Sequence, residues 1–186
     1  MQLYRKATIT DNEAIAQLVN SAYRGESSRA GWTTEIDLLD GSRISSDEIK
    51  QLVETQYAII LLCFNDAELV GSVCLEKEQN LEQAVVHIGM FVVKPVLQGR
   101  GIGKRLLAEA EKLANQTWEV QKFQMHVITV RHELIAFYER LGYQQKGIFS
   151  EFPANPDVWQ PKVTGMRLEV LEKNIGTQEC SNLEIF

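Results

Sequence analysis

The sequence predicts a single α/β domain of the α+β kind, and three observations carry the prediction. A chain of 186 residues, 45% hydrophobic and 24% charged, suffices for one domain with a sizeable core but not for two ordinary ones. Helix-spaced apolar residues alternate along the chain with short strand-like apolar runs. Neither a repeat nor a linker interrupts that order, so the expected domain spans 1–171. A C-terminal tail, 172–186, where periodicity fades, is expected to be mobile.

The elements follow in order. Leu3 to Ile9 reads as a strand. Thr10-Asp11-Asn12-Glu13 has the form of a capping box, and Ala14, Ile15, Leu18, Val19 and Ala22 then trace one buried helical face. A polar segment, 24–41, separates it from a second box, Ser45-Ser46-Asp47-Glu48, which opens a short helix with Ile49, Leu52 and Val53 inward. Tyr57 to Phe64 and Leu69 to Glu76 form a hairpin about Asn65-Asp66-Ala67-Glu68. Ala84 to Val93 is a strand ended by Lys94-Pro95. A glycine-rich turn comes next and leads into a helix carrying Leu106, Leu107, Ala110, Leu113 and Ala114. A strand from Phe123 to Thr129 precedes a helix with Leu134, Ile135, Phe137, Tyr138 and Leu141, closed by Gly142. Tyr143 to Val170 reads as strands split by a loop rich in aromatics and prolines (Phe149, Phe152, Pro153, Pro156, Trp159, Pro161).

Composition narrows the function classes. Nineteen basic against 25 acidic residues give a net charge of -6, the wrong sign for wrapping a nucleic-acid backbone. No apolar run approaches bilayer length, and the N-terminus has no apolar signal core, so a cytoplasmic protein without a membrane partner is expected. Cys63, Cys74 and Cys180 are odd in number, widely spaced and read as reduced. With three histidines and no Cys/His cluster, no metal site is expected.

The informative motif is Gln98-Gly99-Arg100-Gly101-Ile102-Gly103-Lys104, set between a strand and a helix. A helix start presents unpaired amides and partial positive charge, and glycines let a phosphate approach them closely. Arg100, Lys104 and Arg105 add cations. A P-loop would need Ser or Thr where Arg105 stands, and a dinucleotide fingerprint would need glycine at Lys104. Both fail.

The spacing that does fit is Gln/Arg-x-x-Gly-x-Gly/Ala, and with it the sequence resembles the GNAT family of N-acetyltransferases. The likeness continues upstream through Ile88-Gly89-Met90-Phe91-Val92-Val93-Lys94-Pro95. Downstream, Ala136-Phe137-Tyr138-Glu139-Arg140-Leu141-Gly142-Tyr143 is similar to the family's Phe-Tyr-x-x-x-Gly-Phe/Tyr segment. The strong match covers about 86–145, and the element order fits from the first strand to Val170.

The resemblance implies a mostly antiparallel sheet, splayed between its fourth and fifth strands and flanked by helices, with acetyl-CoA as cofactor. The pantetheine arm would pair with Phe91, Val92 and Val93, and the diphosphate would sit on the turn from Gln98 through Gly99, Arg100, Gly101, Ile102 and Gly103 to Lys104. Tyr138 corresponds to the family's proton donor to the departing sulfur. The base that frees the amine is His87, His126 or a relayed water, histidine being neutral near pH 7. Arg131 stands where many members carry a cofactor-touching asparagine, and from there an arginine would reach a phosphate or carbonyl of the coenzyme.

By family position, two segments border the acceptor: Tyr23 to Glu35, with Arg24, Arg29, Trp32 and Glu35, and Phe149 to Pro161, with Glu151, Phe152, Asp157 and Trp159. Arg29 or Arg24 would hold an acceptor carboxylate beside a Trp32 wall. The expected activity is acetyl transfer to a primary amine of a small molecule by a monomer or homodimer. The alternatives are a protein or peptide N-acetyltransferase and a non-catalytic acyl-CoA sensor.

Overall fold

Seven of the strand-forming runs hydrogen-bond into one sheet. The computed structural model describes residues 2–79, 81–153 and 158–175. In chain order the elements are β1 (Gln2–Lys6), α1 (Asn12–Tyr23), β2 (Leu39–Gly41), α2 (Ser46–Glu54), β3 (Ala58–Asn65), β4 (Glu68–Lys77) and β5 (Val85–Val93). Then follow α3 (Ile102–Trp118), β6 (Lys122–Ile128), α4 (His132–Glu139), β7 (Gln144–Glu151), β8 (Trp159–Pro161) and β9 (Arg167–Asn174).

The sheet order is β1-β3-β4-β5-β6-β9-β7, and every neighbour is antiparallel except β5 and β6. These two run parallel and pair only at their starts, from Val85↔Lys122 to His87↔Gln124. Beyond His87 they part, so the later residues of β5 present an edge that β6 does not cover. In sheet order they are the fourth and fifth strands, where the family resemblance implies the splay.

The two faces of the sheet are covered separately. Leu106, Leu107, Ala110 and Ala114 of α3 and Ile135 and Tyr138 of α4 pack on Val73, Val86, Phe123 and Met125. On the other side, Ile15, Val19 and Ala22 of α1 and Ile49 of α2 cover Ile60, Leu62 and Cys74. A bulge in β5 lets one strand serve both layers. Ser72 opposes Val92 and Cys74 opposes Gly89, so Val73 faces two residues, Met90 and Phe91. Met90 takes φ of 45°. As a result Ile88 and Val93, five apart, share the α3 face, whereas Met90 and Val92 turn toward α1.

Four expectations are corrected. β1 ends at Lys6, not Ile9, because Asp11 closes a 3-10 turn over Ile9–Asp11. The Asp11 carboxylate accepts from Thr8 N and Oγ1 and from both Arg5 terminal nitrogens, each at 2.8 Å. The box therefore starts at Thr8, and Thr10 turns its hydroxyl to Thr8 Oγ1 instead. The second box is as read: Ser45 N and Oγ donate to Glu48 Oε2.

The polar segment 24–41 contains β2, which pairs with β8 through Leu39↔Pro161 and Gly41↔Trp159. The last strand continues past Leu171 to Asn174. Its polar residues are satisfied internally, with Glu172 accepting from Gln124 Nε2 at 2.6 Å and Lys122 Nζ at 3.2 Å. Pro156, Asp157, Cys180 and residues 176–186 of the expected tail lie outside the described residues.

Candidate active site

The chain leaves β5 through a 3-10 turn, Pro95–Leu97, and reaches Gln98, whose side chain clamps the site's edge. Gln98 Nε2 donates to Val93 O at 2.9 Å and Thr33 Oγ1 at 2.8 Å, while its Oε1 accepts from Trp32 N at 2.8 Å. Gly31 leaves room for this, since a Cβ there would fall 2.6 Å from Gln98 Oε1. Gly99 and Gly101 then take φ of 77° and 76°, and Gly101 caps α3 in the left-handed region. The first helical bond runs from Arg105 N to Gly101 O at 3.2 Å. The amides of Ile102, Gly103 and Lys104 precede it and have no intrahelical acceptor.

Lys104 lines the cavity above this turn. Arg100 is exposed, and Arg105 leans away, donating from Nε to Gln2 Oε1 at 2.8 Å. The helix start lies on the split strand: a Cβ on Gly103 would sit 3.4 Å from Phe91 Cζ and 3.6 Å from Val93 Cγ2.

Two cavities open along the split. One, of about 410 Å³, runs over the glycine turn between Trp32, Phe137 and the end of β5. The other, of about 190 Å³, lies beyond it and is walled by Arg24, Glu35, Arg43, His126, Phe152 and Trp159. Tyr23, Phe91, Leu134 and Tyr138 line both, so the cavities adjoin at these four side chains. Tyr138 is 6% exposed and packs among Phe91, Phe137 and Tyr143, with ring centroids 5.3–6.3 Å away. Its hydroxyl has no hydrogen-bond partner among the described residues. Burial, and then the neighbouring Tyr23, push its pKa far above the ordinary phenol value, so it stays protonated. Burial likewise raises Tyr23 to about 12.

The two strand histidines stack with centroids 5.9 Å apart and planes 19° from parallel. They are not equivalent. His126 lines the far cavity, and burial, then the neighbouring His87, lower its pKa. His87 lies behind it, within 3.0 Å of Glu78 Oε2, and reaches neither cavity.

Residues 13–143 match the Acetyltransferase (GNAT) family, well over half of the chain. The chain belongs to that family. Among solved structures it is similar to a probable acetyltransferase from Staphylococcus epidermidis, at 14% identity and TM-score 0.72, over 95% of this chain and 100% of that one. A GNAT-family acetyltransferase from Streptococcus pneumoniae gives 18% and 0.66 over 94% and 100%. The ribosomal-protein-S18-alanine N-acetyltransferase from Escherichia coli gives 12% and 0.68 over 100% and 99%. At such identities the likeness is one of fold. Among curated protein sequences none matches.

Within this GNAT domain the remaining expected site residues separate. Arg131, read as a cofactor ligand, is buried at the cap of α4 and braces a loop instead. Its Nη2 donates to Trp32 O at 3.1 Å, its Nη1 to Thr33 O at 3.3 Å and its Nε to Glu133 Oε1 at 2.6 Å. It lines the far cavity and not the one over the turn.

Trp32, expected as the acceptor's wall, lies over the turn against Phe137, 5.5 Å between centroids. Arg24 is in the far cavity but ion-paired with Glu35. Arg29 stands outside both cavities, half exposed and held by Glu26 and Asp37. Glu151 lines a separate surface groove beyond Phe152.

Sequence reasoning missed Arg43 as a site residue and named Tyr23 only as the start of the segment bordering the acceptor. Tyr23 follows the buried stripe of α1, which ends at Ala22, and pattern alone assigns it no role. Arg43 follows β2, a strand too short to leave a period.

Proposed function

We propose that this GNAT domain is an acetyl-CoA-dependent N-acetyltransferase that acetylates a primary amine of a small molecule by direct attack in a ternary complex. The observation that carries the reading is the meeting of two cavities at buried Tyr138, one over a helix start with free amides and one walled by ionisable side chains.

The donor set fits coenzyme A. The amides from Gly99 to Lys104 suit a diphosphate, and the edge at Phe91, Val92 and Val93 that β6 does not pair, where Tyr23 and Gln98 already donate to the Phe91 and Val93 carbonyls, suits an amide-bearing arm. Bound there, acetyl-CoA supplies an activated acyl thioester.

The chain's own residues then move two protons. His126, kept neutral by its lowered pKa, takes a proton from the acceptor nitrogen at the far cavity, directly or through a water. Tyr138 donates its Oη proton to the departing sulfur as the C–S bond breaks and the N–C bond forms. Its buried, protonated phenol suits an acid that must not ionise beforehand. The cavity of about 190 Å³ favours a small acceptor. So does the β2–β8 ladder, because it brings Trp159 to its wall.

CoA release over a panel of amines, with mass detection of the product, tests the reading. Acetylated small amines support it. Product only with peptides replaces the acceptor class. Binding of acetyl-CoA without transfer, unchanged by Tyr138→Phe, makes the domain an acyl-CoA sensor.

A further inference from the structure

The chain is acidic overall, with a net charge of -6, yet the far cavity is lined by three guanidiniums and one carboxylate: Arg24, Arg43, Arg131 and Glu35. Their partners differ. Arg131 donates to two backbone carbonyls and Glu133. Arg24 is paired with Glu35 where both side chains are nearly out of solvent, 6% and 13% exposed, and its buried Nε has no partner among the described residues.

Arg43 has no carboxylate partner among the described residues, and its guanidinium lies 5.9 Å over the Tyr23 ring. Its backbone is fixed, because Asn20 Oδ1 accepts from Arg43 N at 2.6 Å and Asn20 Nδ2 donates to Ile44 O at 2.8 Å. Among the described residues no carboxylate compensates this charge at the cavity wall.

A plain alkylammonium would add like charge to a low-dielectric space already in cationic excess. An acceptor carrying its own carboxylate would offset that excess and give Arg43 a planar, two-oxygen partner.

We propose that the acceptor is a small amine that also bears a carboxylate, an amino acid, seated with its carboxylate on Arg43 and its nitrogen toward Tyr138 and His126. The inference rests on the acetyl-transfer reading and narrows its substrate class. It also transfers the anion-holding role from Arg29 and Arg24, which face carboxylates of the protein itself, to the arginine that does not.

The test compares CoA release with free amino acids, α- and ω-amino, against their carboxamides and their decarboxylated amines. The free acids are expected to lead in kcat/KM by about ten- to hundred-fold, the range for a hydrogen-bonded charged group. In Arg43→Gln that ratio falls toward unity, and Arg43→Lys restores part of it. Calorimetric affinity for acetyl-CoA serves as the folding control, since Arg43 does not line the cavity over the turn. Equal rates with acids and amides, or an Arg43→Gln enzyme that keeps the preference, overturn the inference alone. No CoA release with any amine overturns the transfer reading and this inference with it.

Discussion

Tyr23, the last residue of α1, donates its hydroxyl hydrogen to the carbonyl of Phe91 at 3.0 Å. The bond ties α1 to β5 at its bulge, where Met90 holds φ of 45°. A non-glycine residue in that region persists only when its surroundings fix it. Tyr23→Phe removes the bond to the Phe91 carbonyl. It should cost about 1 kcal/mol of stability, the usual worth of such a bond. A urea titration reads that loss, and turnover should fall alongside it. Unchanged stability and turnover would mean that the bulge holds itself.

Gln98 ties three chain segments together with one amide. Gln98→Ala removes its bonds to Val93, Thr33 and Trp32, which should destabilise the domain by about 1–3 kcal/mol. Because Trp32 and Thr33 wall the cavity over the turn, the variant should also bind acetyl-CoA more weakly. Calorimetry and thermal melting measure the two effects. Full affinity in the variant would remove Gln98 from the binding site's framework.

Gly101 combines a left-handed backbone with the first position before the free amides of α3. Gly101→Val should lose acetyl-CoA affinity by more than about tenfold, since a β-branched residue there is strained and must rearrange the turn. Circular dichroism checks that the helix itself survives. Retained affinity would separate the turn's geometry from coenzyme binding.

The pH profile has a definite sign. His126 must be neutral to accept a proton, and its folded pKa is depressed, first by burial and then by His87. Hence kcat/KM should stay level through neutral pH and fall only below the ordinary histidine value of about 6.5. His87→Ala removes a like charge and uncovers one ring face, so the acid limb should move to higher pH. A limb that stays still or moves the other way would contradict this pairing. Stability should respond in the same window. A histidine held neutral in the fold contributes fully above the unfolded pKa, and that contribution is lost as pH falls toward the folded one.

The glycine turn and α3 were legible in the sequence because each leaves a strong local mark, whereas the parting of β5 from β6 was expected only through the family resemblance. Gly99 and Gly101 are backbone requirements, and Leu106 and Ala110 repeat at helical spacing. What escaped was set by tertiary contact. Strands of three residues, Leu39–Gly41 and Trp159–Pro161, carry no period and exist because they pair with each other. The bulge at Met90 is invisible in a run of apolar residues, yet it decides which of them face α3. Arg131 and Gln98 are both polar residues beside a motif, and only the fold reveals that they hold the Trp32–Thr33 segment from opposite sides. Arg29 and Arg43 are alike as letters. Their neighbours, two carboxylates for one and an aromatic ring for the other, separate them.

Tyr138, buried where the two cavities meet, is the proposed donor of the proton that lets acetyl transfer finish. Single-turnover transfer at saturating acetyl-CoA, compared between the native protein and Tyr138→Phe, tests that role most directly. A rate lowered by about 10²–10⁴-fold with coenzyme affinity retained is expected, the span for loss of a general acid. An equal rate in the two proteins would contradict it.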